Sequence, residues 1–142
     1  MGIQKQEFYE GAALHVLLRG GAGAHVAYRN PFFLIDDRIL IYLKYSTGIR
    51  SPWGFTFTAM EQRLLYRKSI ELPVTIGLVC GSDGVAALPF ASYAGIASLR
   101  GLALRVSCSR AHRKHFEIGG PDGMLGYKVP PSDWSRLLSE TT

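Results

Sequence analysis

Residues Phe32–Lys44 read FFLIDDRILIYLK. One apolar run ends in two acids, and a second apolar run leads away from them to a lone lysine. Asp favours turns, so Asp36-Asp37-Arg38 predicts a tight connection between two strands. The second of these, Arg38–Ser46, is apolar on both faces and predicts a central strand. Aspartates and a lysine at adjacent strand ends are also residue types from which a metal-assisted phosphodiester-cleaving site can be assembled.

Working outward, Ile3–Leu18 predicts a helix, with Phe8, Ala12 and Val16 at four-residue spacing and Gly20–Gly23 as its stop. His25–Arg29 and Phe32–Ile35 are short strand candidates divided by Asn30-Pro31. Ser51–Phe57 is aromatic and, with Pro52 and Gly54, predicts irregular structure. Thr58-Ala59-Met60-Glu61 is a capping box, with Glu61 reaching back to the cap amide. The helix it opens extends to about Ser69 and should turn Met60, Leu64 and Leu65 inward. Val74–Cys80 is an apolar strand, Gly81–Gly84 a turn, and Val85–Leu88 the return. A short helix over Phe90–Leu99 precedes strands at Leu104–Cys108 and His115–Ile118. A loop over 119–123 leads to a strand at Met124–Val129, and Ser132 can cap a last turn through Leu138. Short links between the first three strands favour an antiparallel meander. The helix after Thr58 allows a crossover to a parallel strand. The expected class is mixed α/β, one domain over residues 1–142, with a sheet flanked by helices.

Composition narrows the function classes. An apolar fraction of 47% and a charged fraction of 19% belong to a globular chain rather than a disordered one. No apolar run approaches the roughly 20 residues of a membrane span, and the N-terminal residues lack a secretory pattern. Cys80 and Cys108 lie in apolar runs and read as buried thiols, which makes a reducing, cytoplasmic location the default expectation. A net charge of +5 biases the chain toward nucleic acid or other anions.

The order helix–three strands–helix–strand resembles the core of the restriction-endonuclease-like, or PD-(D/E)xK, superfamily. The resemblance spans roughly Ile3–Leu88 in order of elements and leaves a β-rich C-terminal tail. It implies a nucleic-acid-associated protein of nuclease-like fold, of the kind found in defence, repair or mobile-element systems. In such enzymes an acid closes the second strand and an acid-x-Lys pair lies on the third, with Mg²⁺ or Mn²⁺ held by the acids. Asp36 or Asp37 corresponds to the first acid and Lys44 to the lysine, while Glu10 or Glu7 is the candidate helix acid. Tyr42 stands in the slot of the second acid and points to the same strand face as Lys44. The implied site is therefore degenerate or altered. Convergence of Asp36 or Asp37, Lys44 and a helix glutamate in one cleft is the observation that would strengthen the resemblance, and a Lys44 pointing away from both acids is the one that would count against it.

Two further segments suit nucleic acid. Lys44–Thr58 sets Arg50 and Trp53 among Tyr, Ser and Thr, a composition that can grip a phosphate backbone or stack a base. Ser109–His115 is the most basic stretch, with Arg110, Arg113 and Lys114 as candidate phosphate contacts. No glycine-rich phosphate loop and no Gly-x-Ser-x-Gly elbow is present. The competing expectation is a non-catalytic protein-interaction module, homodimeric in one version, using Trp53 or the tail strands as its face. A small-ligand-binding α/β domain ranks third.

Overall fold

The structure, a computed structural model, describes residues 2–139. Helix α1 (Lys5–Arg19) leads into strands β1 (Val26–Arg29), β2 (Phe32–Ile35) and β3 (Ile39–Ser46). These three pair antiparallel as a meander. Strand β4 (Trp53–Phe57) and helix α2 (Ala59–Glu71) then carry the chain across to β5 (Val74–Cys80), which lies parallel to β3 from Leu40↔Val74 to Ser46↔Cys80. Strand β6 (Gly84–Pro89) returns antiparallel, giving a mixed sheet in the order β1-β2-β3-β5-β6. After helix α3 (Phe90–Ile96), strands β7 (Leu104–Ser109), β8 (Glu117–Gly120) and β9 (Gly123–Met124) join β4 in a second, antiparallel sheet. Helix α4 (Ser132–Ser135) follows.

Strand β5 explains the layering. Every residue of VTIGLVC is buried, as expected for a strand covered on both faces. Ile76, Leu78 and Cys80 face a cluster with Phe55, Phe57 and Val106 of the second sheet and Leu65 of α2. Val79 faces the opposite side with Ala13 and Leu17 of α1 and Trp134 of α4. Strand β3 alternates in the same way, Leu40 and Tyr42 toward the second sheet, Ile41 and Leu43 toward α1. Gly77 makes room for the α4 layer: a Cβ there would lie 2.8 Å from the Trp134 ring and 2.7 Å from Leu43.

Several local expectations shift. The inward stripe of α1 is Ala13 and Leu17 with Tyr9 beside them, one position later than Phe8, Ala12 and Val16; Phe8 is exposed. In α2, Leu65 points inward but Met60 is 73% exposed, and the buried neighbour is Gln62. Gln62 is tolerated there because its amide donates to the carbonyls of Phe57 and Leu102 and accepts from the Arg100 N–H. Trp53–Phe57 is a regular strand, since its buried residues alternate at Trp53, Phe55 and Phe57. The Met124–Val129 strand shrinks to β9 and an isolated bridge between Phe116 and Val129. Ser132 is the first residue of α4 rather than its cap.

Candidate functional site

The capping box at Thr58 forms as expected: the Thr58 hydroxyl accepts the Glu61 N–H at 3.1 Å, and Glu61 Oε1 accepts the Thr58 N–H at 2.9 Å. That arrangement aims the other carboxylate oxygen at β3. Glu61 Oε2 accepts from Lys44 Nζ at 2.8 Å and from the Tyr42 hydroxyl. The Lys44 ammonium also stands 5.0 Å from the centre of the Phe57 ring, in cation–π range. The side chains of Lys44 and Glu61 each retain 20% exposure, so the pair opens to solvent on one side only. The carboxylate that Lys44 and Tyr42 of β3 share thus comes from the N-terminus of α2.

The electrostatics follow from this geometry. Burial alone would raise the Glu61 carboxyl, but hydrogen bonds from Lys44, Tyr42 and the Thr58 amide outweigh it and hold its pKa below the usual carboxylate range. Burial, followed by the hydrogen bond to Glu61, pushes the Tyr42 phenol far up, so it remains a proton donor. Tyr93 of α3 borders the cluster electrostatically. Its hydroxyl is pushed up to about 12 by burial and then by Glu61. Tyr93 is 3% exposed, and that hydroxyl has no hydrogen-bond partner among the described residues.

Asp36 and Asp37 lie elsewhere. They form the β2–β3 turn with φ of 51° and 56°, closed by the Arg38 N–H on the Ile35 carbonyl. Asp36 Oδ1 accepts the His25 N–H at 2.8 Å and so fastens the approach to β1. Lys44 sits seven residues beyond Asp37, which at about 3.3 Å per strand residue is roughly 20 Å away. In an antiparallel hairpin the residues beside Lys44 come from the β1–β2 end, and that end carries Asn30-Pro31 and Phe32. The Phe32 ring meets Tyr42 at 5.2 Å. Glu10 belongs to α1, which packs on the opposite face of the sheet, and its carboxylate accepts from Gln6. Glu61, absent from the sequence-based site, is the acid that Lys44 meets. Its capping signature gave the side chain a sufficient reason to be there, and the second oxygen left no mark in the sequence.

The donor set does not make a Mg²⁺ or Mn²⁺ site. It has one carboxylate, whose two oxygens already accept three hydrogen bonds, whereas hard cations want several oxygen ligands. Among the described residues no group of three or more His, Cys, Asp and Glu side chains could hold a metal.

The candidate nucleic-acid contacts divide. Trp53 is 3% exposed and donates its ring N–H to the Gly48 carbonyl, so it fills the core and shapes its own loop. Arg110 is an anchor: it pairs with Asp83, donates to the Lys114 carbonyl and lies over the Phe116 ring. Arg50, Arg113 and Lys114 are exposed. The Ser51 hydroxyl donates to the Arg110 carbonyl, which brings the Arg50 loop against the basic 109–115 segment. Both lie near the C-terminal ends of the parallel strands β3 and β5, where the turn after Cys80 joins them through the Gly81 N–H on Ser46 and the Asp83–Arg110 pair.

The arrangement is therefore a paired lysine in a half-open niche, with an exposed basic rim that begins at Arg50, six residues further along the chain from Lys44. No protein-family model, no curated protein and no solved structure matches this chain.

Proposed function

We propose that this chain is a small nucleic-acid-associated protein built on a restriction-endonuclease-like core, with a hydrolytic site too degenerate to cleave with Mg²⁺. The core reading is supported by α1, the β1–β3 meander, the α2 crossover and β5 parallel to β3. Two features count against that plan: strand β4 leaves for a second sheet, and Asp36, Asp37 and Glu10 stand away from Lys44. The observation that carries the association is the meeting of two cationic segments, Arg50 with Arg113 and Lys114, about 60 residues apart in sequence, through the Ser51–Arg110 contact. Exposed arginine and lysine at one edge neutralise phosphates and release counterions. Loss of hydrolysis follows from the carboxylate count at Lys44.

The test is a fluorescence-anisotropy titration of single- and double-stranded DNA and RNA from low to moderate salt. Cleavage is followed in parallel with Mg²⁺ and with Mn²⁺. Micromolar binding that weakens with salt, with a log–log slope of about −0.9 per phosphate contact on duplex DNA, and without Mg²⁺-dependent cleavage, is expected. Replacing Arg50, Arg113 and Lys114 by Ala should flatten that slope. Absence of binding at low salt would remove the association, and robust Mg²⁺-dependent cleavage would remove the degeneracy.

A second reading, a protein-interaction module, rests on the outer face of α2. Met60 and Tyr66 share a surface depression with Leu99, flanked by Arg63 and Arg67, and Ile70 on the same helix is 76% exposed. Sedimentation across a concentration series tests whether that face pairs two copies.

A further inference from the structure

Cys80 ends β5 in the first sheet, and Cys108 lies near the end of β7 in the second. Their sulfurs stand 3.7 Å apart, both fully buried, at a point where the two sheets press together. Each sits in paired strand. Cys80 is opposite Gly84 and Ser46, and Cys108 is opposite Trp53 and Ile118. Neither is near a cluster of other metal-ligating side chains among the described residues. A sulfur–sulfur contact of this length is van der Waals contact, and a disulfide requires about 2.05 Å. Bond formation therefore needs the two sulfurs to approach by about 1.7 Å more.

We propose that Cys80 and Cys108 are a redox modification site that closes to a disulfide between the two sheets in an oxidising thiol–disulfide environment. The co-reactant is a low-molecular-weight disulfide of the glutathione type. One cysteine, as thiolate, attacks a sulfur of the small disulfide and forms a mixed disulfide, releasing one small thiolate. The second cysteine, after losing its proton, attacks the protein sulfur of that mixed disulfide, forms the Cys80–Cys108 bond and expels the second small thiol. In sum, two protein thiols lose two electrons and two protons, and one small disulfide becomes two small thiols.

The position also governs the rate. The neighbouring Cys108 and then burial push the Cys80 thiol up, and both sulfurs are sealed from solvent in the folded protein. Exchange therefore requires the seam between the sheets to open, or occurs during folding before it closes. The bond joins residues 28 apart in sequence and fastens β7 of the second sheet to the end of β5 in the first.

The experiment refolds the wild-type chain from denaturant in mixed reduced and oxidised glutathione, quenches with an alkylating agent under denaturing conditions and weighs the product. The expected product is two mass units lighter than the reduced chain and carries no alkyl group. The folded protein should reach the same product more slowly, at a rate that rises with mild denaturant. The oxidised form should melt about 5–10 °C higher than the reduced form, a gain that disappears on adding reductant. Cys80→Ser and Cys108→Ser variants, refolded identically, should stop at one glutathione adduct or one alkyl group. Two alkyl groups or two glutathione adducts on refolded wild type would overturn the proposal. So would an oxidised form that melts below the reduced one, since the native contact would then be unable to accept the bond.

Discussion

The two ends of β3 use charged residues in opposite ways. At the start of the strand, Asp36 and Asp37 serve the backbone: they hold left-handed turn conformations, and Asp36 accepts the His25 amide. At the other end, Lys44 serves a side-chain niche completed by Tyr42 and by Glu61 from a different element. The first end is explained by local chain geometry alone. The second exists only because α2 begins where β3 needs a carboxylate. Acidic residues near a lysine in sequence can thus be irrelevant to it, while one 17 residues downstream satisfies it.

The sharpest way to break this contrast is to place an acid on β3. Tyr42→Glu would place a second carboxylate against Glu61 in a site that now holds a buried ring. We expect it to destabilise the fold by about 3–5 kcal/mol in urea unfolding. Part of that loss should return on adding Mg²⁺, and the wild type should show no such gain. A variant insensitive to Mg²⁺ would mean that Lys44's niche cannot become a metal site even with both acids.

Glu61→Ala comes next. It removes one cap acceptor and leaves the Lys44 ammonium and Tyr42 hydroxyl unpaired, at a cost of about 2–4 kcal/mol. The pH dependence carries the same signature. The Glu61 carboxyl has a lower pKa folded than unfolded. Its contribution is therefore complete above the ordinary carboxylate range, near about 4.3, and is lost as pH falls through the folded value. Acid unfolding curves of wild type and Glu61→Gln should converge toward low pH and separate above it. Parallel curves would show that the carboxylate charge is not what Lys44 requires.

Asp36→Ala should cost less, about 1–2 kcal/mol, through the lost His25 amide contact and an alanine forced to positive φ. Nucleic-acid affinity should be unchanged, because this end of β3 is remote from the basic rim. A large loss of binding would erase the distinction between the two ends. Tyr93→Phe should be the quietest change, neutral or slightly stabilising in a thermal melt, because it deletes a buried hydroxyl with no partner among the described residues. A clear loss of stability would show that the hydroxyl is satisfied in solution.

The difference between the ends also marks what could be read from residues. The meander and parallel crossover followed from short links and one capped helix, and the structure forms both. Strand β4 was legible too, in the alternation of Trp53, Phe55 and Phe57, but Pro52 and Gly54 weighed against it. Its membership of a second sheet depends on pairing with residues 104–108, which no local pattern announces. The position of Asp36 and Asp37 relative to Lys44 follows from hairpin direction and strand rise, so the separation was implicit in the sequence. The Glu61–Lys44 contact was not, because it depends on how α2 lies across β3. Arg110 and Lys114 have the same local charge signature, and only Asp83 and Phe116, distant in sequence, make Arg110 an anchor.

Trp134 donates its ring N–H to the carbonyl of Ala13, and its ring lies over Gly77. The α1 layer is therefore latched by a residue made 121 positions later. During synthesis, α1 emerges first and has neither the β3–β5 surface nor its latch to rest on. Ile41, Leu43 and Val79 offer part of that surface once β5 has been made, but the Trp134 latch is added only after almost all of the described chain. The strands of the first sheet can pair in order as they appear, whereas β4 waits for β7 and the α4 cover arrives later still. Truncations or stalled chains lacking residue 134 would leave the apolar stripe of α1 available to chaperones and to other chains.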